Sequence, residues 1–134
     1  MKPMSNYHAP KTVPAIYHEF FEYLKDNYPT STLSCLHLEV SRRSYVAKRS
    51  DVKWVMGNTR TWEMNGKLCV SMKVATGSPR VPRAVDEVFR YIAHEYKHAL
   101  QLDQSQEIDC AEADSFAAYV IPHFNEDRSL RKAA

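Results

Sequence analysis

The sequence of 134 residues predicts an α+β fold. An N-terminal helix, a small and mostly antiparallel sheet with a hairpin, and two further helices are expected in that order. Apolar residues recur at helical spacing in the first and last thirds of the chain, and they alternate with polar residues in the middle third. An Asn-Gly pair separates two of the alternating runs. The length suits one domain, residues 1–134, with a core of its own.

The first helix is expected over residues 12–28, because one apolar stripe runs through this segment and a proline follows it. The stripe consists of Val13, Ile16, Tyr17, Phe20, Phe21 and Leu24. Residues 1–11 are expected to form a flexible arm. The charged residues 125–134 are expected to form a flexible tail at the other end of the chain.

The middle of the chain has the alternation typical of strands. One strand is expected at Leu33–Val40 and a weaker one at Val52–Val55. Two further strands, Thr59–Met64 and Lys67–Val74, flank Asn65-Gly66, which is the preferred pair for a two-residue hairpin turn. One face of this hairpin is expected to contact the core through Leu68, Val70, Met72 and Val74.

Two helices are expected to follow the sheet, the second over residues 83–102 and the third over residues 109–121, where Pro122 ends it. The second helix has a buried apolar side. It also has a separate stripe at i, i+3 and i, i+4 spacing, which is expected to face a functional site. This stripe consists of Glu87, Tyr91, His94, His98 and Gln101.

The net charge of +2 is divided unevenly, with +7 in residues 1–85 and −5 in residues 86–134. The basic excess is densest at Arg42, Arg43, Lys48, Arg49, Lys53 and Arg60. Such charges are typical of a solvated sheet edge or loop. The alternative is a contact surface for nucleic acid or an acidic partner, although no sequence motif of a nucleic-acid-binding fold supports it.

The cysteines, the N-terminus and the hydropathy pattern indicate a cytoplasmic protein. Cys35, Cys69 and Cys110 are odd in number and lack paired spacing, so reduced thiols are expected. The N-terminus lacks the apolar core of a signal peptide, and no apolar run is long enough to cross a membrane.

The motif that carries chemistry is His94-Glu95-Tyr96-Lys97-His98, which has the form H-E-x-x-H. On a helix His94 and His98 lie on one face and can bind one metal ion. Glu95 can then take a proton from a water molecule at the metal. This set of groups suits zinc-dependent hydrolysis of a peptide bond in a protein or peptide substrate.

A catalytic zinc site needs a third protein ligand. A histidine six residues after the motif, as metzincins have, is absent because position 104 is Gln104. The remaining source is the third helix. Its sequence, Glu-Ala-Asp-x-Phe-Ala at residues 112–117, together with the first motif, resembles the gluzincin metallopeptidases, especially the small ImmA/IrrE-type proteins of bacteria and phages. The resemblance covers about residues 88–122 and implies a minimal zincin-like domain with Zn²⁺.

In that family the second motif reads Glu-x-x-Ala-Asp-x-x-Ala. Its leading glutamate is the third ligand and its aspartate supports a ligand histidine. The resemblance therefore assigns the supporting role to Asp114 and the third-ligand position to Cys110, where the family has glutamate. Zinc accepts a thiolate readily. The alternatives are that Glu112 or Asp109 is the third ligand.

Two other functions stay open at the level of sequence. The site can be degenerate, which would make the protein a metal-stabilised binding module. The basic first half suits a nucleic-acid-associated protease similar to SprT-like proteins. Three further side chains are candidates for stabilising the negative charge that develops on the substrate oxygen, namely Tyr91, Tyr119 and His123.

Overall fold

A computed structural model describes residues 7–8, 13–48 and 53–133. The elements in chain order are β1 (Tyr7–His8), α1 (Ala15–Asn27), β2 (Cys35–Ser41), β3 (Val46–Lys48), β4 (Lys53–Val55), β5 (Gly57–Met64), β6 (Lys67–Ala75), α2 (Val85–Asp103) and α3 (Cys110–Ala133). The α+β class and the order of helix, sheet and two helices are confirmed. None of the helices in the described residues is long and apolar enough to cross a membrane.

The main sheet has the strand order β1-β2-β6-β5, so β5 lies at its edge. The β5–β6 hairpin is antiparallel, and its turn residues Asn65 and Gly66 have φ values of 55° and 77°, as the sequence predicts. Strand β2 pairs in parallel with both β6 and β1. The sheet is therefore mixed. The parallel pairs were not predicted, because pairing between strands distant in sequence follows from tertiary packing and leaves no local pattern in the sequence.

A second sheet consists of β3 and β4, which pair antiparallel. The sequence pattern indicated β4 and missed β3. Residues 1–6 and 9–11 of the expected N-terminal arm lie outside the described residues, as do residues 12 and 49–52. Tyr7 and His8, which also belong to that arm, pair with Leu36 and His37.

The core lies between one face of the main sheet and the three long helices. Three phenylalanines join the helices, with ring centroids 4.4 Å apart for Phe20 and Phe89 and 5.0 Å apart for Phe20 and Phe124. The sheet contributes residues that alternate along β2 and β6, as expected for a strand with one buried face. These are Leu36, Leu38, Val70, Met72 and Val74, all 0% exposed.

The third helix runs to Ala133, so the prediction that Pro122 ends it is wrong. The flexibility expected for residues 125–134 stays a prediction. Pro122 removes one backbone donor and would normally break a helix. Contacts beyond it hold the extension in place. Phe124 is fully buried against α1, and Arg128 and Arg131 both pair with Glu19.

The carboxyl end of α2 is fixed to the loop between α1 and β2 by one buried side chain. Asp103, 4% exposed, accepts hydrogen bonds from the backbone N–H groups of Ser31, Thr32 and Leu33. Burial alone would raise the pKa of Asp103, but these hydrogen bonds outweigh it and hold the pKa below its usual range. The contact fixes where α2 ends relative to the sheet.

Candidate metal centre

The two histidines of the H-E-x-x-H motif lie on one face of α2 with their ring nitrogens converging. The Nε2 atoms of His94 and His98 are 3.0 Å apart. The rings are nearly perpendicular, with centroids 4.5 Å apart and an interplanar angle of 88°. The helical spacing of four residues produces this arrangement, as the sequence predicts.

The first residue of α3 brings a sulfur atom to the same point. Cys110 Sγ lies 3.7 Å from His98 Nε2, and the ligand atoms of His94, His98 and Cys110 all lie within 4.8 Å of one another. The helix begins at Cys110 because Asp109 caps it, accepting a hydrogen bond from the N–H of Glu112 at 3.1 Å. These three residues form the candidate metal cluster of the protein.

Asp114 lies one helical turn after Cys110 and contacts His94. Its Oδ1 is 2.8 Å from His94 Nδ1, the nitrogen that faces away from the cluster. A carboxylate only accepts hydrogen bonds, so in the neutral form of the His94 ring the proton is on Nδ1 and the lone pair is on Nε2. This contact is the one that the predicted supporting role of Asp114 requires, and the role itself stays a prediction.

Gln101 plays the corresponding part for His98, a contact that was not predicted from the sequence. Its Oε1 lies 2.9 Å from His98 Nδ1 and also accepts the N–H of Asp109. Its Nε2 donates to the carbonyl of Asp109. The two backbone contacts fix which end of the amide is oxygen, so His98 Nδ1 must be the donor. The sequence did contain a pattern that could have predicted this contact, because Gln101 lies on the site-facing stripe three residues after His98.

Both imidazoles therefore direct an Nε2 lone pair into the same small space beside a cysteine sulfur. Two lone pairs 3.0 Å apart repel each other unless a metal ion or a shared proton lies between them. In a tetrahedral zinc site nitrogen ligands are about 3.3 Å apart, and nitrogen and sulfur are about 3.6 Å apart. The observed separations of 3.0 Å and 3.7 Å are close to these values. The cluster can hold a metal ion.

Glu95 lies beside the cluster and is 7% exposed. Its Oε1 accepts a hydrogen bond of 2.7 Å from the Thr59 hydroxyl, and its Oε2 lies 4.0 Å from His94 Nε2. Strand β5 approaches closely here, because a Cβ atom at Gly57 would lie 3.0 Å from Glu95 Cγ. One carboxylate oxygen is thus held by β5, and the other borders the metal cluster.

An open cleft runs between the edge strand β5 and helix α2, and the three residues of the cluster are part of its lining. Two adjoining cavities of about 490 Å³ and 360 Å³ form it, and both are lined by Val55, Gly57, His94 and Glu95. Tyr91 lines the larger cavity, and its hydroxyl donates to Glu87. Tyr119 and His123 stack on each other and are not among the residues that line either cavity.

The two alternative third ligands are not part of the cluster. Glu112 pairs with Lys97 at 3.2 Å, and Asp109 is used as the helix cap. No protein-family model, curated protein or solved structure matches the chain. The chemistry of this site is therefore inferred from its own geometry.

The structure describes the side chains of only some of the basic residues in the first half of the chain. Arg42, Arg43 and Arg60 are exposed, and the side chains of Lys48, Arg49 and Lys53 lie outside the described residues. Binding of nucleic acid stays a prediction. Retention on DNA that weakens as salt rises would support it, and the absence of binding at low salt would contradict it.

Metal content distinguishes the candidate third ligands. Cys110→Ala is expected to lower the bound metal from about one ion per chain to well below that, because two imidazoles alone bind weakly. Glu112→Ala is the matched control and is expected to keep the wild-type content, since Glu112 contacts Lys97 and not the cluster. Elemental analysis of protein purified without added metal measures both. The reverse result would make Glu112 the ligand.

Gln101 is expected to control metal affinity without touching the ion. Gln101→Leu removes the acceptor for His98 Nδ1 and should weaken metal binding by roughly 10–100-fold, the usual effect of losing a partner of a ligand histidine. Gln101→Glu keeps that acceptor and should lose less. Competition with a coloured chelator gives the affinities. Gln104→Leu, in an exposed position at the end of α2, is the control, and an equal loss in it would contradict the assignment.

Proposed function

We propose that this protein is a zinc-dependent metallopeptidase that hydrolyses peptide bonds in a protein or peptide substrate. The observation that supports the proposal is the convergence of two imidazole lone pairs and a cysteine sulfur beside the Glu95 carboxylate. This convergence occurs in an open cleft where a substrate has access. Two nitrogens and one sulfur suit zinc, and three protein ligands leave one position open.

His94, His98 and Cys110 would hold the ion. Bound zinc supplies two effects, since it lowers the pKa of a water molecule toward neutrality and polarises the carbonyl of a substrate. Asp114 and Gln101 keep the protons of the two histidines on Nδ1, which leaves Nε2 free to bind.

Glu95 is the general base of the proposed reaction. Its Oε2 borders the cluster, whereas Thr59 holds its Oε1 and so fixes the orientation of the carboxylate. In this position Glu95 takes a proton from the attacking water and delivers it to the leaving amine. The fixed orientation reduces the rearrangement needed at the moment of reaction.

The edge of β5 offers a way to hold the substrate. Gly57, Asn58, Thr59 and Thr61 of this strand line the cleft, and an extended peptide can add to a sheet edge through its backbone. Such pairing would align the peptide along the metal cluster. A model peptide whose backbone hydrogen-bonding atoms have been removed should then be cleaved poorly. Undiminished cleavage would contradict this mode of binding.

The test of the proposal is metal-dependent cleavage of peptides. The zinc-loaded protein is incubated with a mixed peptide library, and new termini are identified by mass spectrometry. We expect cleavage that a chelator abolishes and zinc restores. His94→Ala should be inactive, and His18→Ala, which changes an exposed histidine on α1, should retain activity. A protein that carries about one zinc per chain but produces no new termini would overturn the proposal.

A further inference from the structure

The cleft divides into two parts of different chemistry on either side of Glu95. The larger cavity extends toward Arg90 and Tyr91, and we call it the Arg90 side. The smaller cavity extends toward Leu102 and Ile108, and we call it the Ile108 side. Both cavities share Glu95 in their lining, so a peptide that lies across the cluster enters both.

The Arg90 side presents a cation to a ligand. Arg90 is exposed, lies one helical turn before His94, and its guanidinium rests over the Tyr91 ring at 5.6 Å. It forms no ion pair with a carboxylate of the described residues, unlike Arg83, which pairs with Glu87 at 2.9 Å. Asp114 and Glu95 are the carboxylates in the lining of this cavity. Asp114 accepts a hydrogen bond from His94 Nδ1. Arg90 also donates a hydrogen bond to the Tyr91 hydroxyl, but it pairs with no carboxylate of the described residues, so its remaining donors can bind an anionic group.

The neighbouring Tyr91 adds no negative charge to this side. Burial, together with the adjacent Glu87, raises the pKa of Tyr91 above its usual range, so its hydroxyl stays protonated. Glu87 is itself occupied, because it accepts from Tyr91 and pairs with Arg83. Glu87 attracts Arg90 at a distance, but it forms its ion pair with Arg83 and not with Arg90.

The Ile108 side ends in two apolar residues that the Arg90 side lacks. Leu102 at the end of α2 and Ile108 line this end, beside the polar residues Asn58, Thr59 and Thr61 of β5. Ile108, in the connector between α2 and α3, is 52% exposed, although a large aliphatic side chain is costly to leave in water. Hydrophobic groups that converge on a cleft favour an apolar side chain of a ligand.

We propose that the cleft selects an extended peptide with an acidic side chain on the Arg90 side of the scissile bond and an apolar side chain on the Ile108 side. The inference rests on the proposed function, since a scissile bond exists only if the protein is a peptidase. It names the substrate class of that site. Charge complementarity at Arg90 and the exposed Ile108 carry it. A protein segment of this composition is the occupant of the cleft.

Peptide binding tests the proposal without hydrolysis. Three fluorescent peptides are compared by anisotropy on zinc-loaded Glu95→Gln protein. The first has glutamate and leucine flanking the central bond, the second has lysine in place of glutamate, and the third has serine in place of leucine. Each peptide is synthesised in both chain directions, and the direction that binds better is used. We expect the first peptide to bind about tenfold more tightly than either of the others.

Charge reversal identifies the residue responsible. In the Glu95→Gln background, Arg90→Glu should turn the roughly tenfold preference for the glutamate peptide into a preference for the lysine peptide. Arg80→Glu changes the net charge equally at an exposed position outside the cleft and should leave the preference unchanged. Ile108→Ser should remove the advantage of leucine over serine. Equal effects of Arg90→Glu and Arg80→Glu, or no binding of any peptide, would overturn the proposal.

The same experiments separate this inference from the proposed function. Selective binding by the variant, combined with no cleavage by wild-type protein, would leave the selectivity of the cleft in place and remove the peptidase activity. Cleavage that ignores the acidic and apolar positions would retain the activity and remove the selectivity.

Discussion

Replacement of Glu95 by glutamine is expected to reduce peptide hydrolysis by a factor of about 10²–10⁴, the usual contribution of a general base. Metal content should stay at the wild-type level, because Glu95 is not one of the three clustered ligands. Glutamine has nearly the same shape and can still accept the Thr59 hydrogen bond, so the fold around β5 should be preserved. The two measurements are the initial cleavage rate on one peptide and the zinc content of the same sample.

Glu126→Gln is the matched control, since Glu126 is an exposed glutamate on α3 that lines neither part of the cleft. It should keep both the rate and the metal. Wild-type turnover in Glu95→Gln would show that Glu95 is not the base. If neither wild-type nor variant protein cleaves but both bind the same peptide, the protein is a metal-stabilised binding module.

The predicted elements that agree with the structure are those specified by neighbouring residues. The β5–β6 hairpin follows from the positive φ angles that Asn65 and Gly66 adopt readily. The shared face of His94 and His98 follows from helical spacing alone. Both features need no knowledge of the rest of the chain, so a local pattern is sufficient to predict them.

The features that the sequence did not reveal depend on contacts between distant segments. The end of α3 is one example, because the helix continues past Pro122 through the burial of Phe124 against Phe20 and Phe89. A local rule for proline gives no weight to such packing. The parallel pairing of β2 with β6 is another, since it joins residues that lie more than thirty positions apart in sequence.

In the site, too, some features follow from neighbouring residues and others depend on contacts between distant segments. The choice between Cys110, Glu112 and Asp109 depends on where α3 begins, and the capping of that helix by Asp109 sets its first residue as Cys110. Gln101 completes the arrangement because it contacts both His98 and the backbone of Asp109. A buried amide that links two helices in this way is recognised only when both helices are seen together.

Removal of the Asp103 carboxylate is expected to cause a large loss of stability. Asp103→Ala leaves three backbone N–H groups of the α1–β2 loop without their acceptor, which should lower the free energy of unfolding by about 2–4 kcal/mol. Asp103→Asn keeps one oxygen and should lose less. Asp26→Asn, at an exposed position on α1, is the control and should change stability by less than about 0.5 kcal/mol.

The pH dependence of unfolding provides a second and independent test of Asp103. Because the pKa of Asp103 is lower in the folded protein than its usual value, its ionised form contributes stability above about pH 4. This contribution is lost as the pH falls through the lowered pKa. The stability difference between wild-type protein and Asp103→Asn should therefore be largest near neutral pH and shrink below about pH 4. Urea unfolding at several pH values measures it, and a difference that stays constant down to acidic pH would show that the carboxylate charge does not hold the loop.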